Sequence, residues 1–241
     1  MLNFPQIFAS ISFMFIKDLL FPKFCLGCGF LGAYICPNCK KKLNPSQKDT
    51  CLYCGKASLY GLTHPVCRRS LGIDGFLSIF YYNNLLKTII KSIKYRLAVD
   101  VWRELCLVVE PDLLNKIGNY KKFINGDFYL VPIPLHPKRF RSRGFNQAKI
   151  ITQFFNKFLK KPTVECLFRI KDTPSQAQLI SNKDRYTNLR GAFEAAAHEA
   201  KDKNFVLVDD VATTGSTLKE AARALKKKGA RRVYALTLAR G

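Results

Sequence analysis

The densest chemistry in the sequence lies at residues 205–218, F-V-L-V-D-D-V-A-T-T-G-S-T-L. An apolar run ends in the carboxylates of Asp209 and Asp210. A turn rich in hydroxyls and glycine follows, from Ala212 and Thr213 through Thr214, Gly215, Ser216 and Thr217. Backbone N–H groups and hydroxyls gathered where a helix begins make a phosphate site, because the helix dipole is positive there. Two aspartates cannot favour a phosphate, so they need another partner. The paired hydroxyls of a ribose suit them, as does a Mg²⁺ ion carried by a pyrophosphate. A sugar phosphate satisfies both halves of the stretch. A nucleoside triphosphate in a P-loop does not, since the sequence has no GxxxxGK[ST].

A second group is metal-binding in character: Cys25-x2-Cys28-x7-Cys36-x2-Cys39, then Cys51-x2-Cys54-x9-His64-x2-Cys67. Ligands two residues apart form a knuckle that returns both side chains to one metal, and two knuckles complete a tetrahedron around Zn²⁺. The assignment is two sequential sites, one per set of four. A cross-braced pairing, first knuckle with third and second with fourth, fits the same spacing. With every position filled by protein, both zinc ions are structural. Seven of the nine cysteines fall in this pattern, which points to a reducing compartment, the cytoplasm, rather than to a disulfide scaffold. The module is basic, and nucleic-acid contact and a plain structural role both suit it.

A third group follows the proline-broken segment Tyr129–His136, where Lys138, Arg139, Arg141 and Arg143 crowd into six residues. So many like charges call for an anion among them, and pyrophosphate is sufficient. A nucleic-acid backbone is the competing partner. His136 has a pKa suited to acid–base work, but packing or capping explains it as well.

The elements that must place these groups can be read coarsely. Residues 205–210 read as a strand, 216–228 as a helix stopped at Gly229, and 233–238 as a closing strand, which makes a βαβ unit and a mostly parallel sheet. A strand is predicted at 76–82. Leu85, Leu86, Ile89, Ile90 and Ile93 form a helical core stripe, with Lys87, Lys91, Lys94 and Arg96 around it. Trp102, Leu105, Leu107 and Val108 suggest another helix, with Cys106 buried. From Glu110 to Gly126 the pattern weakens, and Pro111, Gly118 and Gly126 read as turns.

The chain has 241 residues, 48% of them hydrophobic, enough for one good core and a small accessory module. Its 40 Lys and Arg against 17 Asp and Glu give a net charge of +23, of which +10 falls on residues 129–193. That concentration implies an anionic partner. Leu2–Leu20 is apolar but interrupted, so neither a signal peptide nor a transmembrane span is expected. Phe4, Ile7, Phe8, Ile11, Phe15 and Leu19 suggest a helix whose apolar face packs on the protein or meets a membrane interface.

The run Val206–Thr217 resembles the phosphoribosyl-pyrophosphate (PRPP) signature of type I phosphoribosyltransferases. With the cysteine pairs upstream and R-G-F-N-Q-A at 143–148, the chain is similar to the ComF family of competence-associated proteins from about Leu19 to Leu238. The resemblance implies an α/β fold, a type I phosphoribosyltransferase-like mostly parallel sheet flanked by helices, with a small N-terminal zinc-ribbon-like module. It divides the chain into an apolar helix (1–20), a zinc-binding module (21–72) and the transferase-like domain (73–241). It implies that Asp209 and Asp210 serve catalysis, that Ala212–Thr217 hold the 5-phosphate, and that a loop of Leu135, His136, Pro137, Lys138 and Arg139, with Arg143, holds pyrophosphate with Mg²⁺. Segments Arg169–Gln178 and Asn188–Phe193 imply a lid over PRPP, with Asp172, Pro174, Ser175, Gln176, Arg185 and Arg190 as its polar content. The cellular context implied is DNA uptake, with single-stranded DNA and uptake proteins as partners. A homo-oligomer is left open. Two functions follow: transfer of ribose 5-phosphate to an unidentified nitrogen acceptor, or non-catalytic handling of DNA with PRPP as a structural or regulatory ligand.

Overall fold

The computed structural model describes residues 22–93, 98–108, 111–124, 126–173, 189–196 and 200–241. The apolar stripe of residues 4–19, the residues Lys94 and Arg96, and the lid content at Pro174, Ser175, Gln176 and Arg185 lie outside the described residues. The chain forms two compact units, one from residues 22–43 and 84–108, the other from 44–83 and 111–241.

The larger unit is built on strands whose sequence is apolar on both faces. In β5 (Asn204–Ala212), Phe205, Val206, Leu207 and Val208 are all fully buried, the pattern of a central parallel strand covered by helices on both sides. The sheet runs β1–β6–β5–β2, with β1 at Gly75–Tyr81, β2 at Phe128–Pro132 and β6 at Arg232–Arg240; every pairing is parallel. Helix α7 (Ser216–Lys227) returns the chain from β5 to β6 and buries Leu218, Ala221, Ala222 and Leu225. It ends in a Schellman motif: Gly229, at φ 89°, donates to Lys226 O, and Ala230 donates to Leu225 O. Helix α6 (Gln147–Leu159) packs against β5 and β2 and buries Ile151, Phe154, Phe155 and Leu159. A small antiparallel pair, β3 (Leu167–Arg169) and β4 (Phe193–Ala195), stands apart from the main sheet.

Two segments depart from the sequence expectation. Residues 111–123 are helix α4, not connecting turns. Pro111 is tolerated in a first turn, Gly118 faces open space, and Ile117 and Tyr120 bury a 3.6-period edge, with the Tyr120 hydroxyl donating to Ala235 O at 3.1 Å. The basic stretch after β2 is also a helix, α5 (Pro137–Arg143), where a loop was expected. Proline at its first position and a capping His136 begin it, and Gly144 at φ 80° ends it.

In the smaller unit, α2 (Asn84–Ile93) buries Leu86, Ile89, Ile90 and Ile93 and leaves Lys87 and Lys91 exposed, a core stripe with a solvated face. It packs with α3 (Ala98–Val108), which buries Val101 and Leu105 and leaves Cys106 half-buried rather than buried. A short helix, α1 (Pro37–Lys40), carries Cys39 in this unit. No helix among the described residues is long and apolar enough to cross a membrane.

Asp74, just ahead of β1, ties the larger unit together. Its carboxylate meets Lys226 Nζ at 2.9 Å and Arg232 at 3.1 Å and accepts from the Val233 N–H at 2.8 Å. Asp74 and Lys226 are both nearly buried, so deleting the carboxylate strands an ammonium. Asp74→Ala is expected to cost about 3 kcal/mol of stability in urea unfolding, whereas a surface pair such as Lys149–Glu165 should cost less than about 1 kcal/mol.

Candidate functional site

The parallel sheet brings the ends of β5 and β2 to one edge. Pro132 is in register with Val208, and Ile133 N–H continues the ladder by donating to Val208 O at 2.9 Å. The segment Leu135–Arg143 therefore leaves the sheet at the edge where Asp209 and Asp210 stand, and the hydroxyl-rich turn at 213–217 leaves the neighbouring strand β5 at the same edge.

In that turn Gly215 occupies the left-handed region at φ 69° and is the N-cap of α7, so no side chain caps the helix. Of the first-turn amides, Ser216 N–H reaches only Thr214 Oγ1 at 3.3 Å, and the start of the helix can receive an incoming acceptor. The Thr214 and Ser216 hydroxyls lie 2.7 Å apart. Thr213 is exposed, Thr217 half-buried and Ala212 buried. One turn into α7, Lys219 Nζ donates to Thr214 O at 2.7 Å. Burial pushes the Lys219 pKa down, and Arg69 pushes the same way. Lys219 is a loop-holding residue that the sequence motif did not reveal.

The two aspartates are not equivalent. Asp210 is buried; its Oδ1 accepts from Val211 N–H at 2.8 Å, and its Oδ2 lies 3.5 Å from Gln147 Nε2. Gln147 in turn accepts from Arg143 at 2.6 Å, so R-G-F-N-Q-A joins the basic helix to the acidic pair. Asn146 fixes the start of α6 by accepting from Ala148 N–H and donating to Ile133 O. Asp209 is half-buried and accepts from the Asp210 N–H at 2.9 Å.

Two guanidinium groups meet at Thr173, and the charge of Asp209 is felt at one of them, Arg169. Arg139 donates to the Thr173 carbonyl, and Arg169 donates to Thr173 Oγ1 at 2.6 Å. Burial lowers the Arg169 pKa, Arg139 lowers it further, and Asp209 and Asp172 oppose the shift. The Arg169 Nε is buried without a partner among the described residues. Two crowded cations, one of them desolvated and with an unmet donor, are chemistry that could receive an anion. His136 does not point to proton transfer: its Nδ1 accepts from Lys138 N–H at 3.3 Å and lies 3.7 Å from Asp172, which also meets Lys138. Arg141 is exposed, and Leu135 and Pro137 connect β2 to the helix. The flank at Arg190–Phe193 is fixed by Gly191 N–H donating to the buried Glu220 at 3.1 Å. Arg169 and Gln147 gained their roles through contacts distant in sequence, which no local spacing announces.

The cysteines gather as two sequential clusters. Cys25, Cys28, Cys36 and Cys39 form one and Cys51, Cys54, His64 and Cys67 the other, with the ligand atoms of each within 4.8 Å of one another. Cys28 and Cys36 sulfurs are 3.6 Å apart, and Cys54 Sγ is 3.3 Å from His64 Nδ1, close to the edges of a zinc tetrahedron. His64 Nε2 donates to Ala57 O at 3.0 Å, leaving Nδ1 as the metal-facing lone pair. In the first cluster burial resists ionisation of Cys25, yet the N–H groups of Cys36, Gly27 and Cys28 bring it down to about 6. Cys39 beside it is pushed up to about 12 by burial and neighbouring thiols. A thiolate is favoured at Cys25 and opposed at Cys39, an opposition that a dication at the centre would relieve. The donor sets therefore fit zinc, and no ligand position is left for water.

Residues 147–241 match the family described as "Phosphoribosyl transferase domain", and residues 16–71 match "Double zinc ribbon domain". The chain is 30% identical over 217 residues to competence protein ComFC of Bacillus subtilis (strain 168), covering 86% of this chain and 84% of that protein. It is 29% identical to competence protein F of Haemophilus influenzae, over 86% of this chain and 90% of that protein. With DNA utilization protein YhgH of Escherichia coli (strain K12) the identity is 27%, over 86% and 90% respectively.

Elemental analysis of the purified protein is expected to find two zinc ions per chain. Cys39→Ser and Cys67→Ser are each expected to leave one. Two ions remaining after either substitution would contradict the clusters described.

Proposed function

The chain belongs to the ComFC family of competence proteins, and on that premise we propose that it binds PRPP at the common edge of β5 and β2. There it transfers the ribose 5-phosphate to a nitrogen acceptor with release of pyrophosphate. The observation that best supports this reading is the parallel register of β5 and β2, which sends the hydroxyl-rich turn and the segment carrying Arg139 out of the same sheet edge, with Asp209 opposing the loss of charge on Arg169. PRPP is an anion at both ends with a diol between, and the site offers donors, carboxylates and donors in that order.

In this reading the amides and hydroxyls of Thr213–Thr217 hold the 5-phosphate. Asp209 accepts a hydrogen bond from a ribose hydroxyl, and Asp210, anchored by Gln147, positions the other side of the ribose. Mg²⁺ carried in with PRPP would supply charge neutralisation to the pyrophosphate, beside Arg139 and Arg169. As the C1–O bond to pyrophosphate breaks and the acceptor nitrogen closes on C1, Arg139 and Arg169 stabilise the charge accumulating on the leaving group, and the proton that the nitrogen loses passes to the departing pyrophosphate or to water. Orientation and charge stabilisation carry the reaction. The zinc thiolates call for a reducing environment, which favours the cytoplasm.

The second reading is single-stranded DNA handling, in which PRPP is a structural or regulatory ligand. It is supported by exposed Phe140 lying between Arg139 and Arg141 on α5, a residue mixture that stacks bases and meets phosphates, and by the name of the Escherichia coli relative.

Calorimetric titration with PRPP and Mg²⁺ is expected to show binding that the Asp209→Asn/Asp210→Asn double variant weakens on the order of a hundredfold. Pyrophosphate release against a panel of bases and amines should fall about a hundredfold in Arg169→Ala. Binding without release for any acceptor would favour the DNA reading. In that case the salt-dependent affinity for single-stranded DNA should fall in Arg139→Ala/Arg141→Ala.

A further inference from the structure

The third zinc knuckle contacts the turn directly. Between the ligands Cys51 and Cys54 stand Leu52 and Tyr53. Leu52 is buried in the same core cluster as Ala212 and Leu218. Its methyl groups fill the space above Gly215 so fully that a Cβ there would meet Leu52 Cδ1 at 2.8 Å. Gly215 thus lacks a side chain for two reasons, its left-handed φ and its contact with the knuckle. Tyr53 lies beneath Lys219, whose ammonium is 5.2 Å from the ring centroid while donating to Thr214 O at 2.7 Å. The Tyr53 hydroxyl is fixed by accepting from Ile73 N–H at 2.9 Å, and Arg69 lies 5.4 Å from the same ring. Two consecutive residues inside the zinc knuckle therefore support two consecutive residues of the phosphate turn.

We propose that zinc at the Cys51/Cys54/His64/Cys67 site holds the phosphate turn in its binding shape, with Leu52 and Tyr53 as the positioning residues, so that zinc occupancy and PRPP binding are thermodynamically linked. The knuckle's own backbone closure is two bonds, Gly55 N–H to Cys51 O and Cys51 N–H to Lys56 O, with Ser58 N–H to Asp49 O at its base. The metal sets the angle at which the two supporting side chains leave it. Releasing the metal frees Leu52 to leave Gly215 and Tyr53 to leave Lys219, and the turn then has to be ordered by the ligand at the ligand's expense. Linkage is reciprocal: a ligand that needs the ordered turn also retains the zinc. This inference rests on PRPP as the ligand of the turn.

The full chain is loaded with ¹¹³Cd in place of zinc, giving separable resonances for the four-sulfur site and the three-sulfur, one-nitrogen site. PRPP is expected to shift the resonance of the sulfur–nitrogen site and to slow metal transfer from it to a chelator. In the zinc protein, Leu52→Ala, which keeps all four ligands, is expected to weaken PRPP binding about tenfold while retaining two zinc ions. If Leu52→Ala does not fold, the cadmium measurement on the unaltered sequence still decides. PRPP binding with an unmoved sulfur–nitrogen resonance and an unchanged chelation rate would overturn the linkage and leave the functional reading standing. A parent protein that fails to bind PRPP would overturn both.

Discussion

The in-register parallel pairing of β5 with β2 is the constraint on which the site depends. Parallel strands deliver their carboxyl ends to the same edge, and the match of Pro132 with Val208 sets how far α5 begins from the acidic pair. A slip of one residue would turn Asp209 and Asp210 to opposite faces and part Gln147 from Asp210. Register is held by Phe205–Val208, which have no exposed face to exchange, and by α6, whose Asn146 cap reaches back to Ile133 at the end of β2.

Around that edge the charges are arranged with unequal burial. Asp210 and Glu220 are buried and hydrogen-bonded, and they anchor backbone and helix. Asp209, Arg139 and the exposed end of the turn retain access. The strongly basic balance of the chain then has a local meaning: Arg139 and Arg169 are held close together by Thr173 despite their repulsion, which an anion would relieve. Metal-binding sulfur chemistry is separated from this site in kind, yet the second cluster belongs to the same compact unit as the turn, and the first belongs with α2 and α3.

Much of this was legible in the sequence where the signal is local. The apolar run ending in two aspartates, the hydroxyl turn and Gly229 determine β5, the turn and the end of α7 within a few residues. The stripe from Leu86 to Ile93 needs only helical periodicity. Spacing could not choose between sequential and cross-braced zinc pairing, because both use the same knuckles; the choice depends on which sulfurs the fold brings within reach. Pro111 and Gly118 read as breakers, but a first-turn proline and a glycine facing open space cost α4 little. The arginines of α5 looked like a loop because the prolines ahead of them end a strand, although Pro137 is well placed to start a helix. Gln147 with Asp210, Lys219 with Tyr53 and Leu52 with Gly215 meet partners tens of residues away, so these roles emerge only with the tertiary contacts.

The account's central claim is that one ligand spans the turn and the arginine pair. Phosphorus NMR of PRPP titrated with the protein in the presence of Mg²⁺ tests this most directly, because the 5-phosphate and the two pyrophosphate phosphorus atoms report separately. The account predicts that all three resonances shift together and saturate at one ligand per chain. A shift confined to the pyrophosphate resonances, growing without saturation as for loose attraction to a basic surface, would contradict it.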